Sequence, residues 1–259
     1  MKIAALYDIH GNPFALNAVL KEVEKIEVNQ IIIGGDVIAG PMPNETLRLL
    51  EETSTPMQFL CGNAESEVIR HLDGKEINGL SERADQEAIW VSEQLSEDHK
   101  AWIREWKSTI CLETDTLGEI LFCHATPQSD VEVFTKMTRK DKIATIFEDV
   151  SIPTVICGHT HMQFEIQTGQ TRILNAGSVG MPFGSPGAAW LLLTETTDFQ
   201  NTAYDLDAAA TRVRDSDYPH AEGFATNNIL NPPTEQIALK MLSNLEIEQE
   251  RSTFNKRYN

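Results

Sequence analysis

Three short apolar runs near the start of the chain each lead into a polar residue whose side chain can ligate a metal. Residues 3–7 run into Asp8, residues 30–33 into Gly34-Gly35-Asp36, and residues 57–60 into Cys61-Gly62-Asn63. Helical patterns separate them. Pro13 opens one, with apolar positions at Phe14, Leu16, Val19, Leu20 and Val23, and residues 45–52 form the next. Proline in a first helical turn is a start signal. This strand–helix alternation predicts parallel strands joined by helical crossovers.

Residues 64–107 are polar and helical, with Trp90, Trp102 and Trp106 widely spaced and Ser96 placed as an N-cap. They read as an inserted helical cap, with the tryptophans as packing residues. Strand patterns return at 108–112 and 119–123, and a helix is expected over 139–150. Further strands are expected at 154–157, 164–167, 171–175, 188–193 and 202–204. The clustering predicts a second, mixed sheet. The chain reads as one α/β domain over 1–259, with the cap at 64–107 and C-terminal helices at 207–259. In the last of these, after Pro232-Pro233, Ile237, Met241 and Leu245 form a stripe expected to pack on the core.

The chain has 259 residues, 41% of them hydrophobic, enough for one sizeable core. Its formal net charge of −18 repels phosphate backbones and anionic lipid, so non-specific nucleic-acid or membrane binding is not expected. No run reaches the length of a membrane span, and the first residues are too short an apolar stretch for a signal peptide. Cys61, Cys111, Cys123 and Cys157 lack CxxC spacing and read as reduced buried thiols of a cytoplasmic protein.

The chemistry-bearing residues follow strand runs: Asp8 and His10 the first, Asp36 the second, Asn63 the third, His124 the run at 121–123, and His159 and His161 the run at 155–157. Ligands collect at the carboxyl ends of strands in α/β sheets. A Gly-His-x-His string is expected only about 0.01 times by chance in a chain of this Gly and His content, so Gly158-His159-Thr160-His161 is a specific signal. His71, His99 and His220 lack such context and read as surface or structural. Imidazole, carboxylate and amide ligands suit Mn, Fe, Co, Ni or Zn. Two divalent ions, less the charges of Asp8, Asp36 and a hydroxide, leave the site near about +1, attractive to a phosphate ester despite the acidic surface.

The ordered set Asp8-x-His10, Gly35-Asp36, Gly62-Asn63, His124 and Gly158-His159-Thr160-His161 resembles the calcineurin-like metallophosphoesterase family. The likeness runs from Asp8 to the Asn-Ala-Gly-Ser-Val-Gly string at 175–180. Tyr-Asp-Ile-His-Gly-Asn at 7–12 and His-Ala-Thr-Pro at 124–127 are similar to its small bacterial and archaeal phosphodiesterase branch. The resemblance implies a four-layer α/β/β/α sandwich of two mixed sheets. It implies two divalent metals, manganese favoured. Asp8, His10 and His161 would hold the first, Asn63, His124 and His159 the second, and Asp36 would bridge both. It also implies a hydroxide between the metals attacking phosphorus in line, with Asn63 touching a phosphate oxygen and residues 175–180 forming a structural turn beside the site. Asp36, Asn63 and His124 are thus the expected catalytic residues.

One position departs from the family pattern. Many members carry histidine after Gly-Asn, followed by Asp or Glu; here the residues are Ala64 and Glu65. Alanine supplies no proton, which favours substrates with good leaving groups, including activated esters and phosphoanhydrides. Glu65 reads as a solvated carboxylate at a helix start. The expected activity is hydrolysis of a small-molecule phosphodiester. A protein or nucleoside-polyphosphate phosphatase is the second reading, and a non-enzymatic scaffold for protein partners the third. The sequence leaves the oligomeric state open.

Overall fold

The computed structural model describes residues 1–77 and 81–258, with side chains to residue 252. Residues 78–80 of the expected cap and residue 259 of the expected C-terminal helices lie outside the described residues. Two five-stranded mixed sheets form the centre. The first comprises β1 (Ile3–Leu6), β2 (Gln30–Ile33), β3 (Met57–Phe59), β9 (Ala188–Leu193) and β10 (Thr197–Thr202), in the order β10-β9-β1-β2-β3. The second comprises β4 (Thr109–Thr114), β5 (Gly118–Cys123), β6 (Thr154–Cys157), β7 (Gln163–Thr168) and β8 (Thr171–Ala176), in the order β4-β5-β6-β8-β7. As expected, β1, β2 and β3 run parallel; in the second, mixed sheet β5, β6 and β8 are parallel, while β9, β10, β4 and β7 pair antiparallel with their neighbours.

Strand alternation builds the layers. From β1, Ile3, Ala5 and the following Tyr7 face Ile120, Phe122, Ile156 and Leu174 of the other sheet. Ala4 and Leu6 point the opposite way, into helices α1 (Pro13–Ile26) and α2 (Pro43–Glu51). The outer face of the second sheet packs Leu121, Val155 and Ile173 against α6 (Lys140–Ile146) and α9 (Glu235–Tyr258). The result is the four-layer α/β/β/α sandwich. Burying each large aliphatic side chain contributes about 1.5–3 kcal/mol, so this layering is driven chiefly by burial of both faces of each sheet.

Three helices lie between β3 and β4: α3 (Asn63–Leu72), α4 (Glu82–Gln94) and α5 (Glu97–Ile103). Ser96 caps α5, its side chain accepting from the His99 amide at 3.1 Å. Phe59, Trp102 and Trp106 pack ring against ring, with centroids 4.9–5.7 Å apart, so these tryptophans are packing residues. His99 ties α5 to α2 through Asn44, at 3.0 Å. Near the C-terminus come α7 (Leu206–Arg214) and α8 (Ala221–Phe224), the latter running into a wider helical turn at Ala225–Leu230.

The fold corrects four expectations. The strand near 202–204 is instead β10, at Thr197–Thr202; it is a polar edge strand, exposed on its outer side, and leaves no apolar pattern. Helix α6 ends at Ile146, because Glu148 and Asp149 oppose a helix C-terminus electrostatically. On α9 the buried face is Ala238 and Leu242, with Leu239 and Leu245 beside it, while Ile237 and Met241 are 53% and 48% exposed. Phe134, Phe147 and Phe164 crowd that layer, and a small residue at 238 lets the helix approach. Finally, Cys123 and Cys157 are buried thiols, but Cys61 is half-buried and Cys111 is exposed on β4, next to the sheet edge.

Candidate functional site

The carboxyl ends of β1, β2, β5 and β6, with the segment after β3, converge on one place, and each turns sharply there. Asp8, His10, Asp36, His159 and His161 all have left-handed backbones, with φ of 53°, 49°, 51°, 67° and 56°. Among the described residues the other non-glycine with positive φ is Glu27, at the C-cap of α1. Such conformations cost on the order of 1–3 kcal/mol each and cluster where geometry serves a site. The chain also approaches itself closely. A Cβ on Gly62 would lie 2.3 Å from Asp36 Oδ1, and one on Gly158 would lie 2.5 Å from Asp8 Oδ2.

All seven residues singled out in the sequence come together. Asp8, His10 and His161 form one group and Asp36, His124 and His159 a second, with the candidate ligand atoms of each group within 4.8 Å of one another. Asp36 faces both: Oδ2 lies 3.9 Å from His10 Nε2 and Oδ1 lies 3.5 Å from His124 Nε2. Asn63 Oδ1 lies 3.1 Å from His124 Nε2.

The histidines are oriented by backbone carbonyls. His10 Nδ1 donates to Ala39 O at 2.8 Å, His124 Nδ1 to Gly34 O at 2.8 Å, and His161 Nδ1 to Met181 O at 3.0 Å. A carbonyl only accepts, so each of these Nδ1 atoms carries a proton, which in a neutral ring leaves the lone pair on Nε2. The lone pairs of His10 and His161 then meet at 3.0 Å. Two facing lone pairs repel unless a cation sits between or beside them. Asp8 Oδ1 and His159 Nε2 are buried without a hydrogen-bond partner, an arrangement that is costly unless something electropositive meets them. The donor set therefore fits a pair of divalent metals.

Charge tells the same story. Burial, then the neighbouring His161, holds His10 down to about 3; burial, then His124, holds His159 down to about 3. Both imidazoles are thus neutral and ready to ligate. Burial, together with the negative charges of Glu65 and Asp8, outweighs the attraction of His124 and pushes Asp36 up to about 7. Asp8 goes the other way: its burial is outweighed by His161, His124 and His10, and its pKa falls to about 2. Two buried carboxylates this close resist joint ionisation, a conflict that divalent cations resolve.

Glu65 is not the solvated helix-start carboxylate expected from the sequence. It is fully buried. Its Oε1 accepts from the Val37 and Ile38 amides at 2.8 and 3.2 Å, and its Oε2 from Asp36 and Gly62 at 2.8 and 2.9 Å. The carboxylate therefore fixes the turn after β2 to the N-terminus of α3, which sets Asp36 beside Asn63. The Gly62-x-x-Glu65 spacing, half of a capping box, is the signal that could have revealed it. Ala64 N donates to Asp36 Oδ1 at 2.9 Å. The 175–180 turn holds backbone: Ser178 Oγ donates to Asp8 O at 2.7 Å, and Asn175 Nδ2 to Thr160 Oγ1 at 3.0 Å. Asn12 caps α1 and donates to Gly180 O at 3.1 Å.

Above these groups lies a cavity of about 260 Å³. Its floor is the ligand cluster, and its walls come from α3, α4 and α9 together with Phe183. Helices α3 and α4 belong to the expected cap over 64–107, whereas the wall from α9 and Phe183 has no signal in the sequence.

Strained strand-end turns thus bring two candidate ligand triads together on a four-layer sandwich, with Asp36 of the second facing both. The family model of the calcineurin-like phosphoesterase superfamily domain matches residues 1–198, and the chain belongs to that superfamily. An uncharacterized protein of Methanocaldococcus jannaschii is 22% identical over 233 residues, which cover 82% of this chain and 91% of that protein. Among solved structures, a hypothetical protein from Pyrococcus horikoshii OT3 aligns at a TM-score of 0.76 with 16% identity, covering 90% of this chain and 99% of its own. A metallophosphoesterase from Sphaerobacter thermophilus aligns at 0.67 with 21% identity, covering 87% and 98%.

Proposed function

We propose that this chain hydrolyses phosphate esters with two divalent metals, manganese favoured, and that its substrate is a small phosphodiester. The observation that carries this reading is the pair of ligand triads with Asp36 facing both. Asp8, His10 and His161 would hold one ion, Asn63, His124 and His159 the other, and Asp36 both. Two such ions activate water for in-line attack at phosphorus and neutralise the charge that develops there. The protein's own residues supply rigidity. Backbone carbonyls fix three of the imidazoles, and Glu65 and the 175–180 turn fix the loops that bear the carboxylates. Asn63 reaches the open side of the centre, where a phosphate oxygen would sit. The helices over residues 64–107 act as a cap that shapes the substrate space.

The proton donor is the missing part. Ala64 has none, and Glu65 is occupied by four amides. That combination supports substrates with good leaving groups. The test is Mn²⁺-dependent release of nitrophenol from bis(4-nitrophenyl) phosphate. Turnover that vanishes with a chelator and returns with Mn²⁺ is expected; no metal-dependent turnover overturns the reading.

A further inference from the structure

Resting on the hydrolase reading, we infer that the organic group of the substrate is small, apolar and free of a second phosphate or carboxylate. The cavity over the ligand cluster measures about 260 Å³, just below the ~300–1,000 Å³ typical of ligand pockets. Much of its wall is hydrocarbon. Val68 and Ala88 stand on the cap side, Phe183 beside His161, and Leu242 and Leu245 on α9 opposite. Phe183 lies with its ring 5.1 Å from that of His161, so the apolar wall begins directly at the floor.

The polar residues of the wall carry the wrong charge for a polyanion. Glu67, which pairs with Arg70 at 3.8 Å, and Glu87 line the cavity, and among the described residues no lysine or arginine lines it. Tyr218 donates its hydroxyl to Glu87, which fixes that side chain in place. A nucleoside polyphosphate would seat one phosphate on the metals and leave the others beside these carboxylates and the apolar wall, with no lysine or arginine among the described lining residues to meet them. An alkyl or aryl group instead loses water-exposed apolar surface against Val68, Ala88 and Leu245.

The wall is held in place for this purpose by polar contacts away from the cavity. Gln249 Nε2 donates to Val131 O at 2.6 Å, and Lys142 pairs with Glu246 at 3.1 Å, clamping α9 over the second sheet. Leu242 and Leu245 are therefore presented by an anchored helix.

The experiment titrates the Mn²⁺-loaded protein calorimetrically with methylphosphonate, butylphosphonate and 4-phosphonobutyrate, which share a head group and differ in the tail. Three buried methylenes should make butylphosphonate bind about ten- to fifty-fold tighter than methylphosphonate. The added carboxylate of 4-phosphonobutyrate should weaken binding at least about tenfold relative to butylphosphonate. Ala84→Lys, on the cavity rim of α4, should cancel most of that penalty. Equal affinities across the series, or a preference for 4-phosphonobutyrate in the unsubstituted protein, overturn the inference. Selective binding without Mn²⁺-dependent turnover supports the inference and defeats the hydrolase reading; turnover with flat binding does the reverse.

Discussion

The floor and the walls of the cavity are built on opposite principles. The floor is polar and strained: five of its residues have left-handed backbones, and its carboxylates and imidazoles are buried without enough internal partners. The walls are relaxed helices that present alanine, valine and leucine. The floor spends conformational energy to fix ligand atoms, whereas the walls need only shape and the absence of positive charge. Chemistry and selectivity are thus carried by separate parts of the fold, and the two can be perturbed separately.

The largest effect should come from the floor. Asp36→Asn removes half the charge that faces both triads and should lower kcat/KM by about 10³-fold, measured at saturating Mn²⁺, since several kcal/mol of transition-state stabilisation depend on the metal pair. Retention of activity within tenfold would break the division between floor and wall. Ala64→His lies at the border of the two. It should raise kcat/KM for alkyl phosphodiesters about 10²-fold while changing nitrophenyl esters by no more than a few-fold, as a restored proton donor requires. An equal change for both leaving groups would place the residue in the wall, as a matter of shape.

Glu65→Ala tests the support beneath the floor. It strips a buried acceptor from four amides and should weaken Mn²⁺ binding about 10–100-fold, read by calorimetric titration. Acidity should weaken the floor and spare the walls. Asp36 is held near 7, mainly by burial, and His124 is also raised, because Asp36 and Asp8 outweigh its burial. Both must lose protons to ligate, so protons compete more strongly as pH falls below about 7. Mn²⁺ affinity should therefore drop at least about tenfold from pH 7.5 to pH 6.0. A flat profile would contradict that reading. The smallest effect belongs to the wall: Leu245→Ala should raise KM about three- to tenfold, with kcat and Mn²⁺ affinity within twofold.

The two parts also differ in how well the sequence announces them. A ligand must follow its strand directly, so short-range spacing encodes it; Gly158-His159-Thr160-His161 and Gly35-Asp36 are visible without a structure. The parallel strands follow from the same apolar runs, because burial on both faces demands continuous hydrophobic stretches, whereas the four-layer sandwich is what the family resemblance of the ordered motifs implies. Glu65 escaped because its partners lie 27 to 29 residues upstream, on the turn after β2. The α9 stripe was misplaced because Ile237 and Met241 satisfy helical periodicity as well as Ala238 and Leu242 do. Only the crowding of Phe134, Phe147 and Phe164 chooses between them.

Residues close together along the chain thus encode the candidate ligand set and the order in which strands deliver it, and the layered class of the fold comes with the family resemblance those motifs carry. Tertiary structure adds that Asp36 faces both triads, that Glu65 is a buried brace and that a largely apolar cavity, with no lysine or arginine among its described lining residues, stands above them. Those properties arise between residues far apart in the chain, and no local spacing encodes the distances and burial that create them.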